Sequence, residues 1–125
     1  MEYKILLDAN FVIDVVKNSI DLKEELQKIV MGGYKLVTIS KVVEEVKSLE
    51  SKGDRHAKTG LKLLESLKVP VIQSSEEHAD NIILDMGRKD GSIIVATNDL
   101  ILRKRLKEAG VKNIYIRSRK HLVVV

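Results

Sequence analysis

Apolar residues in this chain come in short continuous runs that alternate with stripes at helical spacing. Tyr3 to Leu7 is an almost unbroken apolar run that stops at Asp8. Lys35 to Ile39, Val69 to Ile72, Ile93 to Ala96 and Asn113 to Ile116 follow, with His121 to Val125 as a short terminal addition. Runs of this length, rich in β-branched residues and apolar throughout, predict parallel strands buried on both faces. The segments between them predict helices. These are Phe11 to Lys17, the stripes Leu22-Leu26-Ile29-Val30, Val42-Val43-Val46-Leu49, Ala57-Leu61-Leu64-Leu67 and Ala79-Ile82-Ile83-Met86, and a last helix carrying Leu102 and Leu106. Asp8, Asp21 with Glu24, Ser40, Ser74 with Glu77, and Asp99 stand where helix caps are expected, and Gly32-Gly33 stops the second helix. About five strands alternating with helices predict an α/β fold, a three-layer α/β/α domain around a central parallel sheet. With one proline and no polar linker, residues 1–125 read as a single domain.

Composition narrows the chemistry. There is no run of 18 apolar residues and no basic, then apolar, leader segment, so a soluble cytoplasmic protein without a membrane partner is expected. Zero cysteines exclude disulfides, thiolate catalysis and cysteine-held metals. With three scattered histidines, any metal must be held mainly by carboxylates, which favours Mg²⁺ or Mn²⁺.

The charge is unevenly spread. Asp99 to His121 holds eight basic residues against two acids, a local +6 in a chain of net +4, so the remainder is slightly acidic. A basic quarter of this kind suits a polyanion such as RNA, although a charge run is also how a solvated helix face looks. Arg103, Lys104, Arg105 and Lys107 are the candidate phosphate contacts. The four aromatic residues, Tyr3, Phe11, Tyr34 and Tyr115, are too few for a platform that reads bases by stacking.

Two of the buried runs end in the same way. In open α/β sheets ligands bind beyond the carboxyl ends of the strands, and there Asp8 follows the first run while Thr97-Asn98-Asp99 follows the fourth. Each aspartate could serve simply as a helix cap. On a wheel of 100° per residue, Glu45 flanks the apolar stripe of its helix and Glu44 points nearly opposite; Asp80 borders the stripe of a later helix. Convergence of Asp8, Glu45, Asp80 and Asp99 would build a site for a hard divalent cation, because like charges resist joint ionisation until a cation offsets them.

The order Ile5-Leu6-Leu7-Asp8-x-Asn10, Val42-Val43-Glu44-Glu45-Val46-x-x-Leu49, Ala79-Asp80 and Val95-Ala96-Thr97-x-Asp99-x-x-Leu102 resembles the PIN-domain nucleases. It is most similar to the ribosomal-RNA-processing branch and its archaeal relatives. The resemblance covers almost the whole chain. It implies a metal-dependent endoribonuclease in which Asp8, Glu45, Asp80 and Asp99 are the catalytic, metal-binding acids, with Asn10 and Thr97 in support. Many relatives carry a second acid after the position of Asp80 and another two residues after that of Asp99, where this chain has Asn81 and Ile101.

Toxin ribonucleases of toxin-antitoxin pairs resemble the same motifs, and a PIN-like RNA-binding module without catalysis would share the basic rim. The expected partners are RNA and, according to the role, an antitoxin, a ribosome-assembly protein or a second copy of the chain. A phosphorylated receiver domain is a poor match, since Gln73 to Ser75 offers no acceptor aspartate.

Overall fold

The computed structural model describes residues 2–125. In chain order the elements are β1 (Tyr3–Leu7), α1 (Ala9–Lys17), α2 (Leu22–Ile29), β2 (Tyr34–Ile39), α3 (Ser40–Ser51), α4 (Arg55–Ser66), β3 (Val71–Ile72), α5 (Ala79–Lys89), β4 (Ile93–Ala96), α6 (Leu100–Glu108), β5 (Asn113–Arg117) and β6 (His121–Val124). The six strands form one sheet in the order β3-β2-β1-β4-β5-β6. The first five run parallel, and β6 returns antiparallel to β5. The fold is therefore the α/β/α sandwich read from the sequence, with a sixth strand in place of about five and one antiparallel edge. Ser118 and Arg119 both adopt positive φ in the turn that reverses the chain into β6, the backbone shape that tight hairpins require.

Burial follows the two-residue period of the strands. Leu6, Ile39, Ile93 and Val95 face a core completed by Val42 and Val46 of α3, Ile83 of α5, and Leu102 and Leu106 of α6. Ile5, Leu7, Ile94, Ala96 and Ile114 face the other side, where Phe11, Val12 and Val15 of α1 and Leu22 and Leu26 of α2 cover them. All four residues of β4 are buried, as expected of a central strand covered on both faces. The helix between β3 and β4 packs tightly: a Cβ on Gly87 would come within 2.7 Å of Val111 Cγ1. No described helix is long and apolar enough to cross a membrane.

Two helix starts differ from the sequence reading. Ser40 is the first residue of α3 rather than its cap, and Ser74 lies well before α5, which begins at Ala79 with no side-chain cap. The two hydroxyls instead meet at 2.9 Å, and Ser74 Oγ accepts from the backbone N–H of Lys41. Ser74 thus satisfies an orphan donor of a helix 33 residues earlier, a tertiary use that a local capping rule does not reveal.

Candidate functional site at the carboxyl edge of the sheet

The order of strands reverses its direction of growth between β1 and β4, which pair directly. At such a switch point the loops leaving adjacent strands turn to opposite faces and open a crevice at the carboxyl edge. Asp8 leaves β1 there, and Thr97-Asn98-Asp99 leaves β4.

Asp8 is only 3% exposed. One oxygen accepts from the Ala9 N–H at 2.9 Å, making Asp8 the N-cap of α1. The other accepts from Thr97 Oγ1 at 2.7 Å and from Asn10 Nδ2 at 3.4 Å. Cap and buried polar centre are thus the same residue, because the two oxygens divide the tasks. Burial nevertheless raises the Asp8 pKa above the usual aspartate value. The hydrogen bonds from Thr97 and Ala9 oppose that shift, while the charges of Asp80 and Asp99 add to it.

Asp99 is the N-cap of α6, accepting from the Leu102 N–H at 2.9 Å. Its own N–H donates to Thr97 Oγ1 at 3.2 Å. Thr97 has one hydroxyl proton, and the shorter of its two possible donations goes to Asp8 rather than to Asn10 Oδ1 at 3.3 Å. Asn10 Oδ1 accepts instead from the Asn98 N–H at 3.0 Å.

Glu45 stands on an exposed part of α3, yet desolvation of its carboxyl raises its pKa, with further upward pressure from Asp8 and Asp80 against Lys41 and His78. Glu44 turns away to solvent and lies 3.9 Å from Lys41. Asp80, in the first turn of α5, is half-buried and acts electrostatically on both Asp8 and Glu45. None of the four acids has an ion-pair partner within 4 Å among the described residues.

The convergence expected of these acids needs one correction. They gather around Asp8, but no group of three or more Asp, Glu or His side chains among the described residues is arranged so that it could hold a metal ion as it stands. The donor set itself suits a hard divalent cation, being all carboxylate oxygen and uncompensated by any close base.

The basic residues also divide. Lys104 and Lys107 are exposed on α6. Arg105 donates to Asn81 Oδ1 at 3.0 Å, tying α6 to α5. Arg103 donates from Nε to Asn113 Oδ1 at 3.0 Å and lies 3.5 Å from the centroid of the Tyr115 ring. The uniform basic rim read from the sequence is therefore two free lysines and two arginines held by the protein.

Two residues of the site escaped the sequence reading. Asn98 donates from Nδ2 to Asp14 at 2.9 Å and accepts the Ile116 N–H at 2.8 Å, so it pins the turn after β4 to both α1 and β5. Asn113 is buried and donates to the carbonyls of Val95, Thr97 and Ile114. Asparagine is depleted in strands, so its place at the start of a buried strand was an available signal.

Residues 5–119 match the family described as PIN like domain. The protein named ribonuclease VapC4, from Methanocaldococcus jannaschii, is 29% identical over 126 residues, covering 98% of this chain and 96% of that one. The structure of the PIN domain endonuclease Utp24 superposes with a TM-score of 0.84 at 21% identity, over 98% of this chain and 90% of the other. VapBC-1 from nontypeable Haemophilus influenzae gives a TM-score of 0.51 at 16% identity, over 84% and 93%. At these identities the two structures speak for the fold, while the family match spans both acid-bearing strand ends and the helices between them. The chain belongs to the PIN-like domain family.

Proposed function

We propose that the protein is an endoribonuclease that hydrolyses RNA phosphodiester bonds at the acidic centre around Asp8, with Mg²⁺ or Mn²⁺ as cofactor. The observation that carries this reading is a buried aspartate, its pKa raised, facing three further carboxylates without close counter-ions at the switch point of a parallel sheet. Such an arrangement costs folding energy and is most economically explained by chemistry done there. The names of its relatives, a ribonuclease and an endonuclease, support the same reading.

Asp8, Glu45, Asp80 and Asp99 would hold the metal. When bound, a divalent cation supplies an activated water and stabilises charge on the leaving oxygen. Thr97 favours the ionised form of Asp8 through its hydrogen bond, and Asn10 fixes the turn that carries Thr97. Asn81, one of the two departures from an acid, is occupied by Arg105 and serves packing between helices.

The test is cleavage of single-stranded RNA by the purified protein with Mn²⁺ or Mg²⁺. Activity should vanish in excess EDTA and in Asp8→Asn and Asp99→Asn. Cleavage that survives EDTA, or survives in both variants, overturns the proposal. Binding of RNA without any cleavage would instead make the chain a catalytically inactive RNA-binding module.

For the cellular role we propose toxin action restrained by an antitoxin, with ribosomal RNA processing as the alternative, on the strength of the end-to-end match to the protein named ribonuclease VapC4. Growth arrest on expression, relieved by a co-expressed neighbouring gene, is the expected result. Accumulation of unprocessed ribosomal RNA when the gene is depleted would assign the protein to ribosomal RNA processing.

A further inference from the structure

On α6, Leu100, Arg103, Lys104 and Lys107 fall at i, i+3, i+4 and i+7, the spacing of a single helix face, while Leu102 and Leu106 supply the buried stripe. A second face with core-like spacing but basic chemistry borders a groove of about 530 Å³ between α6 and β5. Tyr115, Asn113 and Val125 line the sheet side, Lys112 stands at the far end with its ammonium 5.5 Å from the centroid of the Tyr3 ring, and no acidic side chain contributes to the lining. The groove begins beside Asp99 and follows α6 for about 10 Å from Leu100 to Lys107.

Arg103 is held in this groove as few surface arginines are. Its Nε is bonded to Asn113 and its guanidinium lies 3.5 Å from the Tyr115 centroid. Asn113 is itself anchored on the carbonyls of Val95, Thr97 and Ile114. The Thr97 that holds Asp8 therefore also holds, through Asn113, the arginine of the groove. Stacking and the Nε bond fix the plane of the cation beforehand, which lowers the entropic cost of using it. Of its donors, only Nε is engaged by the protein among the described residues.

We infer that the groove between α6 and β5 receives single-stranded RNA running away from the acidic centre, with phosphates on Lys104 and Lys107 and a base against the Arg103–Tyr115 stack. This rests on the endoribonuclease reading and names where its substrate lies. A cationic lining alone would serve an acidic peptide equally well. The free Nη donors of Arg103 would serve a phosphate or a carboxylate alike, and what favours nucleic acid is the outward face of the guanidinium plane, on which a base can stack and an acidic side chain cannot. Arg105 lies outside this groove, bonded to Asn81, and provides a basic control on the same helix.

The experiment measures binding of a labelled single-stranded RNA to the intact protein in EDTA over a series of salt concentrations, so that cleavage plays no part. Lys104→Ala combined with Lys107→Ala should flatten the slope of log affinity against log salt by about 1.4 units, the value for two phosphate contacts to a single strand. Tyr115→Leu should weaken binding about tenfold with little change in slope, as loss of a stacked base does, and Tyr115→Phe should restore it. Arg105→Ala should alter neither the slope nor the affinity by comparable amounts. An unchanged slope in the lysine double variant, or an equal loss in Arg105→Ala, overturns the inference. Tighter binding of a poly-glutamate of equal charge also overturns it and makes the groove a protein-docking surface. If RNA binds as described but is not cut when metal is added, the reading of the acidic centre fails and the groove stands.

Discussion

Thr97 Oγ1 donates a 2.7 Å hydrogen bond to the carboxylate of Asp8, joining the ends of two adjacent strands that lie 89 residues apart in sequence. It is the principal side-chain contribution that opposes the effect of burial on Asp8. Removing it in Thr97→Val should raise the Asp8 pKa further, so the acid limb of the pH–rate profile should move to higher pH. Thr97→Ser, which keeps the donor, should leave that limb near its original position. A profile unmoved by Thr97→Val would mean that Asp8 ionisation does not limit activity.

Glu45 and Glu44 are exposed neighbours in sequence, but Glu45 is the one within electrostatic reach of Asp8 and Asp80, and activity should separate them. Glu45→Gln should lower metal affinity or cleavage by roughly 10- to 100-fold, the usual loss on disturbing a ligand or its support. Glu44→Gln should cost little. Titration of both variants with Mn²⁺, followed by RNA cleavage, reads both effects.

Stability should depend on pH through Asp8. Its folded pKa lies above the unfolded value near 3.8, so the folded state prefers the protonated acid. The resulting cost is absent below the unfolded value, grows as pH rises through the folded value, and is complete above it. Asp8→Asn keeps an acceptor for the Ala9 N–H and removes the buried charge. Its Tm in EDTA should exceed that of the parent at pH 7, by about 4 °C for each kcal/mol relieved, and the gap should close toward pH 4. Added Mn²⁺ should raise the Tm of the parent by mass action and that of the variant less. Thermal melts at two pH values, with and without metal, check all three statements.

Asn98 is expected to be a positioning residue. Asn98→Ala removes bonds to Asp14 and to the Ile116 N–H, leaving the latter without its partner, at a cost of about 1–3 kcal/mol. Because the turn it pins carries both Thr97 and Asp99, kcat should fall while RNA affinity measured in EDTA stays close to that of the parent. A fall in stability alone, with kcat intact, would confine Asn98 to a structural role.

The sheet was legible because central parallel strands must be apolar on both faces, and the run at β4 could hardly be anything else. Asp8 and Asp99 were legible as strand-end acids, and their capping of α1 and α6 proved compatible with membership of the acidic centre. What stayed hidden depends on partners far away in sequence. Ser40 and Ser74 obey a local capping pattern but spend their hydroxyls on each other. Arg103 and Arg105 look alike in a list of charges, and only packing assigns one to Tyr115 and the other to Asn81. Tyr115 is too isolated in sequence to suggest a stacking surface, and it becomes one because an arginine twelve residues earlier lies over it. The run His121 to Val125 was visible as a terminal strand, but its antiparallel return along β5 was not, because direction is set by the turn and the pairing rather than by the apolar run.

The pairing of β1 with β4 also sets a schedule. Lys4 to Leu7 are made 89 residues ahead of their partners Ile93 to Ala96. At translation rates of 5–20 residues per second, Asp8 waits roughly 4 to 20 s before Thr97 exists. Through that interval Asp8 lacks the hydroxyl that bonds its carboxylate. Closing so long a loop is also among the later events of folding. The bond between Asp8 and Thr97 can therefore form only after β4 has been made, however early the first strand and its helix have folded.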